Sequence, residues 1–261
     1  MASEQWHEGR VAVVTGGNAG IGLAISQALA ARGAKVAVGA RRCRDADVAR
    51  GVEEDVGEGA IALPLDVSET PSVEDFVADV REKLGQPDIL VNSAGVSVHQ
   101  TVTGHSDDDW NAVVDTNLSG PFRMIRACLP GMIEAGWGRI INIASTAAET
   151  AVPTHAAYCA SKSGLLGLTR AVALEGAAHG VTALAVSPTW VETDMLRASA
   201  AKQAKAAGHD TATEMAALAA ANPQNRLVQA GEIASLVSFL CSDQAPGLTM
   251  EDIQINAGAH W

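Results

Sequence analysis

The chain has 261 residues, and its hydrophobic fraction of 48% is enough to bury the core of one α/β domain. Its 30 acidic and 18 basic residues give a formal net charge of -12, and a surface this acidic repels the phosphates of nucleic acids. Residues 1–9 lack the apolar stretch of a signal peptide, and no apolar run approaches the length that spans a membrane. We therefore expect a cytoplasmic protein that binds neither nucleic acids nor membranes.

Short apolar segments alternate with longer amphipathic segments, and no linker, repeat or low-complexity tract divides the chain. This alternation predicts one α/β domain over residues 1–261, with a doubly wound, mostly parallel sheet of about seven strands and helices on both faces. The predicted strands are 10–15, 35–39, 60–65, 89–92, 138–144, 180–187 and 253–256. The predicted helices are 21–32, 45–57, about 70–84, one that begins near 107, 156–175, 195–222 and 232–241.

Two helix starts have residues that are typical of N-caps. Thr70 precedes Pro71, which suits the first helical position, so we expect Thr70 to cap the third helix. Ser106 precedes three aspartates, which the positive end of the helix dipole favours. The aspartates could also suggest a metal site, but helix capping explains them without one.

The cysteines show no spacing that is typical of a metal site. No pair forms C-x-x-C, and none clusters with histidine. We therefore expect reduced, mostly buried thiols and no bound metal. The cysteines are Cys43, Cys128, Cys159 and Cys241.

Residues 15–22 read T-G-G-N-A-G-I-G and join the first predicted strand to the first predicted helix. Glycines permit a tight turn and a close approach of backbone to a pyrophosphate, and a helix N-terminus supplies free N–H groups and a positive dipole end. A glycine cluster alone is weak support for such a site, but its place between a strand and a helix strengthens it. We expect a dinucleotide phosphate to bind here.

Tyr158 and Lys162 stand four positions apart in a predicted helix, so both lie on one face, one turn apart. A free tyrosine has a pKa of about 10 and is a poor base near neutrality. A nearby ammonium stabilises the phenolate, so we expect Lys162 to lower the pKa of Tyr158 and make proton transfer feasible. Tyr158 is the only tyrosine of the chain, which favours a chemical role.

The order of these motifs resembles the short-chain dehydrogenase/reductase family over nearly the whole chain. Residues 92–95 read N-S-A-G where the family has N-N-A-G, and residues 158–162 match its Y-x-x-x-K. The resemblance implies a Rossmann-type fold and a nicotinamide dinucleotide cofactor. The cofactor-binding residues that it implies are Thr15, Gly16, Asn18, Gly20, Ile21, Gly22, Asp66, Val67, Asn92, Ala94, Gly95, Tyr158, Lys162, Pro188, Val191 and Thr193.

The end of the second predicted strand favours NADP(H) over NAD(H). A carboxylate at this position would bind the ribose hydroxyls of NAD and repel a 2′-phosphate, but this chain has Ala40, followed by Arg41 and Arg42. A guanidinium is a planar, permanently charged fork that suits a phosphate. We therefore expect Arg41 and Arg42 to bind NADP(H), with NAD(H) use and solvated arginines as the alternatives.

The resemblance implies a catalytic tetrad of Asn117, Ser145, Tyr158 and Lys162. In it, Tyr158 protonates the alkoxide that hydride transfer from NADPH produces, and Ser145 holds the substrate oxygen. Lys162 binds the nicotinamide ribose, and Asn117 binds a water that connects Lys162 to solvent. The alternatives from the residues alone are that Ser145 caps a strand end and that Asn117 bends its helix.

The substrate is expected under a cover formed by residues 193–226. Within the family, the chain most resembles bacterial ketoreductases, so we expect a ketone or secondary alcohol in an acyl, polyketide-like or cyclic molecule, with a carrier-bound chain as one option. His155 is expected at the surface, with substrate contact as the alternative. Thr189 replaces a glycine of the family, and its Cβ restricts the backbone there. The expected pocket residues are Ser145, Tyr158, Val96, Ala147, Val152 and Trp190.

Three other functions remain open, namely an NAD-dependent alcohol dehydrogenase, an extended-type sugar epimerase or dehydratase, and a non-catalytic NADP(H) sensor. The epimerases usually carry G-x-x-G-x-x-G and a longer C-terminal region, and this chain has neither. A sensor has no need for Tyr158 with Lys162. Small residues along 156–174 permit close helix packing and predict a homo-oligomer, either a dimer or a tetramer.

Overall fold

The computed structural model describes residues 5–259, which contain a seven-stranded sheet. Its strands are β1 (Val11–Thr15), β2 (Lys35–Ala40), β3 (Ile61–Pro64), β4 (Ile89–Asn92), β5 (Gly138–Ile143), β6 (Val181–Pro188) and β7 (Asp252–Ile255). Every neighbouring pair is parallel, in the order β3-β2-β1-β4-β5-β6-β7. The predicted doubly wound parallel sheet is confirmed. The order reverses between β1 and β4, and such a reversal opens a crevice at the carboxyl ends of these strands.

Helices connect the strands on both faces of the sheet. They are α1 (Gly20–Ala30), α2 (Ala46–Val56), α3 (Thr70–Lys83), α4 (Asp107–Val114), α5 (Gly120–Ala135), α6 (Ala156–Ala177), α7 (Asp194–Ala207), α8 (Thr211–Ala220) and α9 (Ala230–Leu240). The π-helical segment Asp115–Ser119 joins α4 to α5. The sequence analysis did not predict α5, because glycine and proline within it interrupt a helical pattern.

Each face of the sheet carries its own apolar layer, because side chains alternate along a strand. In β1, Ala12 and Val14 pack in the layer that includes α1, α2 and α9, whereas Val11 and Val13 pack in the layer that includes α3, α5 and α6. Phe76 of α3 is the largest of the fully buried side chains in the second layer. The two layers hold the strands rigidly, so their carboxyl ends form a fixed platform.

One predicted helix cap is confirmed and the other is wrong. Ser106 accepts a hydrogen bond of 3.1 Å from the backbone N–H of Asp109, and three aspartates occupy the first turn of α4. At α3 the N-cap is Glu69, so Thr70 already lies inside the helix with Pro71 in its first turn. The helix begins one residue earlier than predicted, so Pro71 occupies its second position rather than its first.

The segment expected to cover the substrate forms two helices rather than the single helix predicted over 195–222. Gly208 adopts the left-handed conformation with φ of 77° and ends α7. Asp210 then starts α8 by accepting a hydrogen bond of 2.7 Å from the backbone N–H of Thr213. The sequence is rich in alanine on both sides of the break, so the pattern of residues does not indicate where one helix ends and the next begins.

All four cysteines are free thiols, as predicted, and three of them are buried. Burial raises the pKa of Cys128 and of Cys241 to about 12, so both thiols stay protonated and unreactive. Cys159 is half-buried. Among the helices of residues 5–259, none is long and apolar enough to cross a membrane.

Candidate active site

The glycine turn after β1 packs so closely that side chains would not fit. Gly16 has φ of 66°, and a Cβ on it would lie 2.9 Å from the Cα of Ala94. A Cβ on Gly22 would lie 2.3 Å from the carbonyl oxygen of Gly16. These glycines therefore hold the turn against both α1 and the loop after β4, with the backbone exposed to the crevice.

The N-terminus of α1 opens onto this turn without a side chain that caps it. Ala19 is the N-cap residue and makes no side-chain hydrogen bond, so the first N–H groups of α1 remain available to an anion. A Cβ on Gly20 would lie 3.4 Å from Cγ2 of Thr193, the N-cap of α7. The turn and the start of the predicted cover thus face each other. Asn18 and Ile21, also predicted to bind cofactor, are half-buried in the same turn.

The part of the predicted cofactor site around Asp66 combines the carboxylate of this residue with exposed arginines. Arg41 and Arg42 lie in a 3-10 turn directly after β2. Burial raises the pKa of Asp66, but hydrogen bonds from Ser68 and the positive charges of Arg41 and Arg44 outweigh it and lower that pKa overall. Arg41 is therefore close enough to act electrostatically on Asp66, as expected for residues that share one site.

The side chain of Val67 lies in the core. A Cβ on Gly120 would approach Cγ2 of Val67 to 2.8 Å, and Val67 is 5% exposed. The sequence analysis expected Val67 to contact the cofactor. In this structure only its backbone is left for that contact, because the side chain packs under α5.

Thr15 and Asn92 use their buried side chains to hold the loop after β4, and their predicted contact with the cofactor stays a prediction. Thr15 Oγ1 accepts hydrogen bonds of 3.1 Å from the backbone N–H groups of Ser93 and Ala94. Asn92 donates from Nδ2 to Oδ1 of Asn142, at 2.8 Å. Both side chains are buried at the strand ends. They fix the loop after β4, so its half-buried residues 94 and 95 remain as the cofactor-facing part of that motif.

Ser145 and Tyr158 come together although they are distant in sequence. Ser145 follows β5, and its hydroxyl is close enough to Tyr158, on the first turn of α6, to lower the pKa of that phenol. Ser145 Oγ also accepts a hydrogen bond of 3.2 Å from the backbone N–H of Ala147, so the predicted capping role and the predicted contact with Tyr158 coexist. Burial raises the pKa of Tyr158, while the Ser145 hydrogen bond opposes that rise.

Lys162 does not act on Tyr158 as the sequence analysis expected. Its Nζ lies 5.7 Å from the centroid of the Tyr158 ring and donates a hydrogen bond of 2.6 Å to the carbonyl oxygen of Ile143. Burial lowers the pKa of Lys162 to about 8. The expected lowering of the Tyr158 pKa is wrong for this structure, because burial raises that pKa and the Lys162 charge is not among the groups that shift it.

Asn117 lies in the π-helical segment and ties three parts of the site together. Its Oδ1 accepts from the backbone N–H of Val96 and its Nδ2 donates to the carbonyl oxygen of Val96, both at 2.9 Å. Nδ2 also donates to Ser161 Oγ, at 3.2 Å. A Cβ on Gly95 would lie 3.4 Å from Asn117 Oδ1 and 3.9 Å from Lys162 Nζ. Asn117 and Lys162 therefore both lie close to Gly95, and the water link between them stays a prediction.

The turn after β6 accommodates the residue that departs from the family. Thr189 is not among the described residues with positive φ, so its Cβ causes no backbone strain. Its N–H donates to the carbonyl oxygen of Ile255 at 3.1 Å. Pro188 and Val191 are buried, and their predicted contact with the cofactor stays a prediction. Thr193, which is also predicted to bind the cofactor, is half-buried.

The residues of the predicted substrate pocket differ in exposure, and their contact with a substrate stays a prediction. Val96, Val152 and Trp190 are half-buried, as pocket walls can be, whereas Ala147 is 3% exposed and contributes little surface. His155 is not at the surface as expected, since it is 9% exposed. The sequence analysis also missed His99, which contacts His155, because its loop has no pattern that indicates a partner.

Comparisons with known proteins agree on one group. A family described as enoyl-(acyl carrier protein) reductase matches residues 16–260. The 3-oxoacyl-(acyl-carrier-protein) reductase FabG of Salmonella typhimurium is 37% identical over 253 residues, which covers 97% of this chain and 98% of that protein. A Streptomyces virginiae protein named for the ketoacyl reductase of the monensin polyketide synthase is 40% identical over 253 residues, or 95% and 96% of the two chains.

A solved structure matches the whole fold. It is a variant of the actinorhodin polyketide ketoreductase, crystallised with NADPH. It has a TM-score of 0.91 and is 36% identical, and the match covers 96% of this chain and 98% of that one. The strand order, the crevice and the motifs around it therefore belong to one known architecture.

Proposed function

The chain belongs to the short-chain dehydrogenase/reductase family, and on that basis we propose that it is an NADP(H)-dependent ketoreductase acting on an acyl or polyketide-like ketone. One observation carries the proposal. A protonated phenol, Tyr158, lies close enough to Ser145 for the serine hydroxyl to act on its pKa, at the carboxyl end of β5, where ligands bind in open α/β sheets.

The residues present fit NADPH. The glycines at 16 and 22 leave a cradle that any Cβ would fill, and α1 presents uncapped N–H groups to a pyrophosphate. Arg41 would pair with a 2′-phosphate, since the residue before it, Ala40, carries no carboxylate to repel one. The half-buried Thr193 would face the nicotinamide end from the start of α7.

Tyr158 is suited to act as the proton donor in a reduction. The raised pKa keeps its phenol protonated near neutrality, and an alkoxide is a much stronger base than a phenolate. NADPH, when bound, supplies a hydride to the carbonyl carbon. Tyr158 then gives its proton to the carbonyl oxygen, which becomes the alcohol, and the phenolate recovers a proton from solvent. Ser145 holds that oxygen with a second hydrogen bond.

Lys162 and Asn117 would support this step from behind the phenol. A lysine with a pKa of about 8 is largely charged at neutral pH, so Lys162 would donate to the nicotinamide ribose while it also donates to the carbonyl oxygen of Ile143. Asn117 hydrogen-bonds to the backbone of Val96 and to Ser161 Oγ. Ser161 Oγ in turn donates to the carbonyl oxygen of Tyr158 at 2.8 Å. The backbone that carries the phenol is therefore braced by Asn117.

The acyl substrate class rests on the relatives. The matched proteins are named for 3-oxoacyl chains on acyl carrier protein and for polyketide ketoacyl groups. We propose a 3-oxoacyl thioester, free or carrier-bound, as the substrate. The cytoplasmic location and the homo-oligomer stay predictions.

The test is a substrate panel followed at the nicotinamide absorbance. The purified chain receives NADPH or NADH with 3-oxoacyl thioesters, cyclic ketones and simple alcohols. We expect turnover of 3-oxoacyl thioesters with NADPH, and a loss of about 10²–10⁴-fold in kcat for Tyr158→Phe. Cys159→Ala, one residue further along α6, is the matched control and should retain activity.

Each contrary outcome identifies an alternative. Tight NADPH binding without turnover of any compound would favour the sensor. A preference for NADH and alcohols would favour the alcohol dehydrogenase, and a product without net redox change would favour the epimerase. Full activity of Tyr158→Phe would remove the proposed mechanism.

A further inference from the structure

A pair of histidines connects three segments beside Tyr158. His99, in the loop after β4, has its Nε2 3.1 Å from Nε2 of His155, and the two ring centroids are 4.0 Å apart. The same His99 nitrogen lies 3.4 Å from Oγ of Ser199, which belongs to α7. The contact therefore joins the loop after β4, the residue before α6 and the first helix of the cover.

The hydrogen-bond partners determine where the protons lie on this pair. The carbonyl oxygen of Pro153 can only accept, so Nδ1 of His155, 2.9 Å away, carries a hydrogen. Nε2 of a neutral His155 is then an acceptor, and Nε2 of His99 must carry the hydrogen between the rings. Ser199 Oγ, which already accepts from Nε2 of Gln203 at 3.1 Å, shares the same His99 donor.

The pair is also part of the wall next to the reactive phenol. The rings of His155 and Tyr158 meet edge to face, with centroids 6.3 Å apart. The backbone N–H of Gln100 donates to the carbonyl oxygen of Thr154 at 2.9 Å, so the two loops also pair through the backbone. A shift of His99 would therefore displace the wall as well as release α7.

From this geometry we propose that His99 and His155 are positioning residues that latch α7 over the substrate cleft beside Tyr158. The proposal rests on the ketoreductase function given above. In this proposal α7 leaves the wall when a ketone enters, and return of α7 restores the contact between Ser199 and His99. The pair contacts neither the glycine turn nor the arginines after β2, so its loss should affect substrate binding more than cofactor binding.

The charges around the latch favour its closed form near neutral pH. Burial, His155 and Lys202 of α7 lower the pKa of His99, so His99 is neutral there. At a pH below that lowered pKa, His99 takes a proton on Nδ1, and like charges on His99 and Lys202 repel. Tyr158 faces the pair from α6 and stays neutral in this range because its pKa is raised. Acid therefore favours the open form.

The experiment compares His99→Ala with His99→Gln, because a glutamine Nε2 can donate to His155 as the histidine does. For His99→Ala we expect faster hydrogen exchange in residues 194–207 of the free protein, and a rise of about threefold to tenfold in KM for the ketone. The value of kcat and the Kd for NADPH should change less than about twofold. His99→Gln should restore both properties and should lack the rise in KM that the wild type shows in acid.

Two results would overturn the latch. One is wild-type exchange in α7 of His99→Ala, and the other is an equal change of kcat, KM and NADPH affinity, which would indicate a general structural defect. Hydrogen exchange needs no turnover, so it tests the latch even if the wild type reduces no ketone. In that case the proposed function fails, and accelerated exchange in His99→Ala would still support the latch.

Discussion

The ammonium group of Lys162 lies 2.6 Å from the carbonyl oxygen of Ile143, the last residue of β5. This bond anchors the first turns of α6 to the strand that leads to Ser145. It also holds a charge in a buried place, since Lys162 is 6% exposed. The chemistry of the site thus depends on a lysine whose charged form is destabilised by its surroundings.

The burial of Lys162 predicts a dependence of stability on pH. Its pKa is about 8 in the folded protein and near 10.5 in the unfolded chain. Between these values the unfolded state binds more protons, so the free energy of unfolding gains a contribution as the pH rises, up to about 3 kcal/mol. Relative to Lys162→Met, the wild type should gain stability from pH 8 to pH 10. Urea unfolding at several pH values measures this, and parallel curves for both proteins would contradict it.

Replacing Ser145 by alanine should slow the reaction without affecting the cofactor. The substitution removes a hydrogen bond that lowers the pKa of Tyr158 and a donor to the substrate oxygen. We expect kcat to fall by about 10²–10³-fold, with an unchanged Kd for NADPH. Ser163→Ala is the control, because Ser163 on the same helix donates to the carbonyl oxygen of Ala148. Steady-state kinetics and cofactor titration separate the two effects, and equal losses in both variants would refute the role of Ser145.

The arginine after β2 should determine cofactor choice. We expect Arg41→Asp to weaken NADPH binding by about tenfold to a hundredfold, because it replaces a phosphate partner by a like charge. NADH binding should change little or improve. Arg50→Asp, which alters an exposed arginine paired with Asp47, should leave both affinities unchanged. Fluorescence titration with the two cofactors is the measurement, and equal effects on both would show that Arg41 is only a solvated charge.

Two glycine-to-alanine changes should have opposite effects. In Gly22→Ala, the new Cβ would meet the Gly16 carbonyl oxygen at 2.3 Å, so we expect a loss of about 1–3 kcal/mol in stability and weaker NADPH binding. In Gly167→Ala on α6, no atom lies within 4 Å of the new Cβ, and we expect a gain of about 0.5–1 kcal/mol. Thermal or urea unfolding compares them. Equal stability of both variants would show that the turn can relax around Gly22.

Local patterns in the sequence were sufficient for the strands, for most of the helices and for the chemical types at the site, but not for α5 or for the break between α7 and α8. Alternating apolar segments predicted the parallel sheet, and the spacing of Tyr158 and Lys162 placed both on one helix face. Such features depend on neighbours within about one or two helical turns, which the sequence displays directly. The crevice also followed, because carboxyl ends of parallel strands meet at one edge.

The tertiary structure alone decided how these residues act. Whether Thr15 and Asn92 face a ligand or brace a loop depends on partners far along the chain, at Ala94 and Asn142. The pKa of Tyr158 depends on burial by the whole fold, so a rule based on one charged neighbour has the wrong sign here. The contact of His99 with His155 likewise arises only when two irregular loops pair. Desolvation depends on all the atoms that pack around a group, and long-range contacts join distant parts of the chain. Neither can therefore be predicted from a short stretch of sequence.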